Sequence, residues 1–389
     1  MVFFVLSGYL IGGHVLSAFT DRRWSWRSYA ISRLTRLWIV LIPALILTVF
    51  WDYIGRQVLH GDLYVNNFQQ NAFDILSGLT FHHDLKTFLG NAFFLQDILV
   101  VDLGTNRPLW SLANEFWYYA IFPLAIYSIH RNNPIMFRLV SGISAIVLCL
   151  ILPTKLLEYA MVWLLGVAVA SSRGFILCYT GYNQRAALAI VSSLALISSL
   201  YFTHNSGFAS DFLVGFLSAL ALAFVADLNM PGAALSRVSA FFADFSYTLY
   251  LTHLPFLACV LCIVAGNHTF NPSFHNLFLY VLILSMTVSY AIAVYWIFER
   301  HTKVLQRKLG ELSPQAKAEW LVRTLLSVVV PQQIPILYNR YTRTAQHPDR
   351  QAILVGHRVE AVDPTGGANI VGETAEAVAV AAERDDDRA

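Results

Sequence analysis

Charge is what this sequence has least of. Only 13% of its 389 residues are Asp, Glu, Lys or Arg, about half of the ~25% usual in soluble domains, which excludes a water-exposed surface over most of the chain. The formal net charge of +2 is too small for a nucleic-acid partner, which needs a dense basic face. Cysteine is scarce too. Cys149, Cys178, Cys259 and Cys262 lie in or beside apolar segments. The last two have the spacing of a redox pair, but inside a helical span they read as small packing residues, so neither a disulfide framework nor a metal site follows. There is no internal repeat, no glycine-rich phosphate loop and no added hydrolase domain.

What is present is apolar sequence, 57% hydrophobic with 14% aromatic residues. Nine apolar runs of roughly membrane-spanning length fall at 2–19, 34–54, 109–129, 139–153, 157–172, 186–203, 209–227, 245–266 and 277–298. The expected fold class is all-α, a multi-span transmembrane helical bundle in a lipid bilayer. The run 139–153 is short for a span and needs help from its flanks. The opening "MVFFVLSGYLIGGHVLSAF" meets its basic cluster, Arg22 and Arg23, after the apolar stretch. A signal peptide has the reverse order, so this run reads as a membrane helix passing from outside to inside. Fourteen arginines and lysines between Arg22 and Lys308 then fall on one side, against Arg56, Lys86, Arg107 and Lys155 on the other. That bias puts the N-terminus outside and the C-terminus in the cytoplasm.

The longest outer segment, 55–107, holds His60, His82 and His83, and its stretch "LKTFLGNAFFLQDIL" is expected to lie along the membrane surface. Residues 1–308 form the membrane domain. Residues 309–343, with a Ser-Pro helix start and one apolar face, read as a cytoplasmic amphipathic segment. The tail 344–389, ending "ERDDDRA", reads as disordered.

Ionisable and polar groups inside spans are costly and are functional candidates by default. In "SYAISRLTRLW", Arg33 and Arg36 stand three apart on one helical face. They suit phosphate oxygens, or else serve as a topology anchor. In "NRPLWSLANEFWYYAIFP", Pro108 marks a helix start, and Ser111, Asn114, Glu115 and Tyr118 form a polar stripe. A carboxylate there needs a partner or water, whether its role is chemical or structural. In "FADFSYTLYLTHLPF", Ser246, Tyr250 and His253 follow i, i+4, i+7 spacing on one face near mid-membrane, and His253 is a packing residue or a catalyst.

These stretches, with "VFFVLSGYLIGG" at the start and "WIFER" at the end, resemble in order the membrane acyltransferase 3 family of O-antigen and exopolysaccharide O-acetyltransferases, over about residues 2–305. The resemblance implies about ten membrane helices and a bacterial cytoplasmic (inner) membrane location. It also implies an acyl-CoA donor (acetyl-CoA) reached from the cytoplasm, a glycan or glycolipid acceptor, and no bound cofactor. Glu115 and His253 would then be catalytic, and Arg33, Arg36, Trp110, Ser111, Asn114, Ser246 and Tyr250 would bind substrates. The family places its catalytic histidine in a helix before "FFVLSGYL", and His14 is no substitute. Met1 therefore reads as an internal methionine and this form as lacking its base. An inactive truncated member and a polytopic transporter or flippase are the alternatives.

Overall fold

A computed structural model describes residues 1–59, 82–202, 207–228, 233–264 and 273–311, all within one compact unit, Met1–Leu312. The predicted tail 344–389, His60, and all but the first three residues of the segment 309–343 lie outside the described residues. The helices are α1 (Val2–Thr20), α2 (Trp26–Tyr53), α3 (Leu85–Ala92), α4 (Leu109–Ile129), α5 (Ile135–Ile151), α6 (Thr154–Tyr179), α7 (Tyr182–Phe202), α8 (Phe208–Val225), α9 (Ala233–Val264), α10 (Phe274–Ile297) and α11 (Thr302–Glu311).

A helix stands at each of the nine predicted spans. Seven are long and apolar enough to cross a membrane. The other two are α4, whose polar stripe lowers its hydropathy, and α5, which has only 17 residues. α9 begins at Ala233, well before the predicted residue 245. The chain is an integral, multi-pass membrane bundle. Its outward surface is apolar, with Leu150, Phe202 and Phe274 among the most exposed side chains, as lipid contact requires.

Helices approach most closely where side chains vanish. A Cβ on Gly8 would lie 1.9 Å from the Trp163 carbonyl oxygen, and one on Gly166 would lie 2.0 Å from that of Val5. α1 and α6 therefore touch backbone to backbone, the small-residue packing common in membranes. α1 widens into a π-turn at Gly8–Gly12 along this contact.

Proline removes a donor inside three helices, and side chains from elsewhere repair two of the gaps. Pro255 has no N–H for the Leu251 carbonyl, four residues back. The Asn106 side-chain amide donates to that oxygen at 2.9 Å. Pro123 likewise strands the Tyr119 carbonyl, and the Tyr29 hydroxyl donates to it at 3.0 Å. Each repair ties a bend to a second element, and both bends border the site described below.

The stretch "LKTFLGNAFFLQDIL" does not lie on the membrane surface. Ala92 and Phe94 are buried in the core formed by α2, α4 and α9. Trp38 of α2 and Trp117 of α4 donate to the Ala92 and Phe94 carbonyls at 2.8 and 3.0 Å. Trp117 is nine residues into its helix, about 13 Å beyond Pro108 at 1.5 Å per residue, so the segment re-enters the bundle. Its polarity is inverted relative to a surface helix. Thr87, Gly90 and Asn91 face inward, while Leu85, Leu89 and Phe93 are exposed. Phe94 and Asp97 adopt positive φ, 60° each, to turn the chain after α3. Such irregular backbone is tolerated at membrane depth only when protein covers it.

One end of the bundle is marked by an aromatic cluster. Phe19, Trp24, Trp26, Tyr29, Tyr127 and His130 pack with ring centroids 4.4–6.0 Å apart. It joins the end of α1, the start of α2 and the end of α4 in the manner of an interfacial belt. The arginines of the 22–36 region lie at this end.

Candidate active site in the helix bundle

α4 carries the centre of the site because Pro108 starts the helix beneath the re-entrant loop and aims its polar stripe inward. Ser111, Asn114, Glu115 and Tyr118 are all buried, Glu115 at 2% exposure. Glu115 Oε2 accepts from the Tyr119 hydroxyl at 3.0 Å. That hydroxyl lies 3.0 Å from Ser7 Oγ of α1, which accepts from Trp163 Nε1 of α6 at 3.1 Å. Three helices thus join one hydrogen-bonded chain. Ser7 also sits close to the carboxylate, yet Glu115 Oε1 has no hydrogen-bond donor among the described residues.

Toward the aromatic-belt end, both predicted arginines lie within electrostatic reach of Glu115. The Arg33 guanidinium sits over the Tyr29 ring, 5.8 Å from its centroid, and its buried Nε has no acceptor among the described residues. Arg36 is exposed. Of the face predicted from their spacing, only the Arg33 part is covered by the bundle.

Toward the other end, one helical turn from Glu115, Ser111 Oγ lies 2.5 Å from the Tyr250 hydroxyl of α9. Both hydroxyls approach the Pro108 carbonyl, at 3.1 and 3.2 Å. Phe3 stacks on the Tyr250 ring at 5.3 Å, and Trp110 packs against Phe4 and Tyr159 at 5.7 and 5.3 Å. His253 follows Tyr250 by one turn. Its Nδ1 lies 3.0 and 2.9 Å from the carbonyls of Leu249 and Tyr250. Two acceptors require the proton on Nδ1, so the neutral ring carries its lone pair on Nε2. Ser246 does not join this group. It is exposed to the outside of the described bundle and donates to the Ala243 carbonyl of its own helix.

The sequence reading passed over Ser7, Tyr119, Trp163 and Asp52. Asp52, 1% exposed at the end of α2, accepts from the Thr105 amide at 2.9 Å, from its hydroxyl at 2.6 Å and lies 2.9 Å from His83 Nε2. Gly104, at φ 54°, is forced by this contact, since a Cβ there would stand 2.0 Å from Asp52 Oδ2. A lone aspartate in an apolar run was the available signal. In the same loop, outside the spans, burial and then the neighbouring Asp97 push the Asp102 carboxyl up to about 8.

The interior of this membrane bundle holds two hydrogen-bonded side-chain groups, Glu115–Tyr119–Ser7–Trp163 and Ser111–Tyr250, and buried polar groups of this kind are functional candidates in a polytopic membrane protein. A family model described as an acyltransferase domain matches residues 1–296. The chain belongs to the membrane acyltransferase 3 family and is an acyltransferase. No curated protein and no solved structure matches it.

Proposed function

We propose that this protein moves an acyl group, most simply acetyl, from acyl-CoA to a hydroxyl of a cell-surface or lipid-linked carbohydrate, in the cytoplasmic membrane of a bacterium. The observation that carries this reading is Glu115, a buried carboxylate with one oxygen held and the other unpartnered, midway between the arginines and the Ser111–Tyr250–His253 group.

Transfer from a thioester to a hydroxyl breaks the acyl carbon–sulfur bond and forms an acyl carbon–oxygen bond. The acceptor proton leaves to a base and ends on the departing thiolate. Bases in reach of the interior are Glu115 Oε1 and His253 Nε2. Tyr119, itself held by Ser7, fixes the Glu115 carboxylate through Oε2 and leaves Oε1 for the substrate. Arg33 and Arg36 favour entry of an anionic donor from their end. Tyr250 and Ser111 supply hydroxyls that can donate to a carbonyl oxygen as it gains charge, and Trp110 and Asn114 line the same stripe.

The test uses purified protein in nanodiscs with acetyl-CoA and lipid-linked oligosaccharide, following free thiol and labelled ester. Glu115→Gln should lower turnover about 10²–10⁴-fold, the usual share of a general base, with thermal stability retained. Unchanged turnover would remove Glu115 from the chemistry.

A further inference from the structure

A second basic feature lies farther out, at the start of α2. A cavity of about 500 Å³ is lined by Ser25, Arg27, Ser28, Lys303, Gln306 and Arg307, among others, and no carboxylate lines it among the described residues. Ser25 caps α2, its Oγ accepting from the Ser28 amide at 3.4 Å. Gln306 Nε2 donates to the Ser32 carbonyl at 3.1 Å and fixes α11 against α2. Lys303 and Arg307 are four apart on α11 and therefore share a face.

Lys303 and Arg307, like charges at i, i+4, repel each other. Hydroxyls and three cations converging on one space, beside a helix N-terminus, form an environment that an anion of high charge density stabilises. Arg36 follows Arg27 by nine residues, about 13 Å along the helix.

We propose that this cavity seats the phosphate groups at the nucleotide end of the acyl donor, while the donor's long arm passes Arg33 and Arg36 to bring the thioester to Glu115. The assignment rests on the acyl-CoA reading above and moves the main phosphate contacts from Arg33 and Arg36 to Arg27, Lys303 and Arg307. An anionic lipid headgroup shares the chemistry, and the experiment separates the two sources.

The probes are coenzyme A and adenosine 3′,5′-bisphosphate, neither of which can transfer an acyl group. Binding to the full chain is measured by calorimetry in zwitterionic nanodiscs and again in discs containing phosphatidylglycerol. The Lys303→Gln, Arg307→Gln double variant should bind both probes at least tenfold more weakly. An Arg300→Gln, Lys308→Gln double variant removes the same charge outside the cavity and should bind normally. Melting temperatures confirm that both variants fold. Equal affinity in all three proteins, or equal loss in both variants, overturns the proposal. So does binding of the lipid but not of the nucleotide probes. If the probes bind as expected but no acyl transfer occurs, the functional reading fails and this site stands. If transfer proceeds with an unchanged KM for acyl-CoA in the Lys303, Arg307 variant, this site fails and the functional reading stands.

Discussion

Asp52 and Glu115 are both carboxylates buried in membrane helices, at 1% and 2% exposure, and their surroundings differ in kind. Asp52 is saturated, since both its oxygens accept hydrogen bonds from Thr105 and one also meets His83. Glu115 is held through one oxygen only. A buried acceptor left without a donor costs about 1–3 kcal/mol, which a fold keeps only where something else gains by it. Saturation marks the Asp52 end as a clamp that closes the re-entrant loop over the bundle. In the proposed function, the unpartnered oxygen of Glu115 is the one left for substrate. Depth in the membrane and burial do not separate the two roles. The hydrogen-bond partners of their oxygens do.

The contrast can be broken most severely at α1. Gly166→Val puts side-chain atoms where the Val5 carbonyl now sits, displacing α1 and with it Ser7. Acyl transfer should fall to background, while a cysteine crosslink between positions 48 and 106, where the Asn106 amide donates to the Thr48 hydroxyl at 2.9 Å near Asp52, still forms. Loss of that crosslink as well would mean that the two ends are not independent.

A smaller effect follows from Tyr119→Phe, which removes the hydroxyl that holds Glu115 Oε2. Hydrogen bonds to charged groups contribute about 1.5–3 kcal/mol, so kcat should drop roughly 10- to 100-fold with KM for the donor little changed. A change confined to KM would place Tyr119 in substrate binding instead.

The smallest expected effect is one of pH at Asp102. Its folded-state value of about 8 lies above the ordinary 3.8, so the folded protein holds a proton that the unfolded chain has released. Stability is therefore greatest at low pH, declines as pH rises from about 3.8 toward 8, and levels off above that. Asp102→Asn keeps the group neutral and should flatten this dependence, raising the melting temperature by on the order of a few degrees at pH 9 and hardly below pH 4. Parallel melting curves for the two proteins across this range would refute the assignment.

The spans were legible because hydropathy is a property of single segments. α4 runs Leu109–Ile129, the predicted 109–129, with Pro108 at its start. The polar stripe from Ser111 to Tyr118 was legible for the same reason, as side chains on one face of one helix. What was not legible depends on contacts between distant segments. Nothing local in "LSGYL" says that Ser7 meets Tyr119. Nothing in "GTNRP" says that Asn106 will supply the donor that Pro255 lacks. The re-entrant segment was misread because its inward face is small and polar and its outward face apolar, the reverse of the pattern in water. Ser246 shared the predicted face but is exposed, a fact of packing rather than of spacing.

The most direct test sets the two carboxylates side by side. Glu115→Gln and Asp52→Asn each keep the shape and remove the charge, and both are read for turnover per folded molecule and for thermal stability in the same nanodiscs. Glu115→Gln should lose 10²–10⁴-fold in turnover with a melting temperature near that of the native protein. Asp52→Asn should melt earlier, by the equivalent of about 1–3 kcal/mol, with turnover within a few-fold of native. The reverse pattern, with Asp52→Asn folded but inactive and Glu115→Gln unstable but active, would contradict the account.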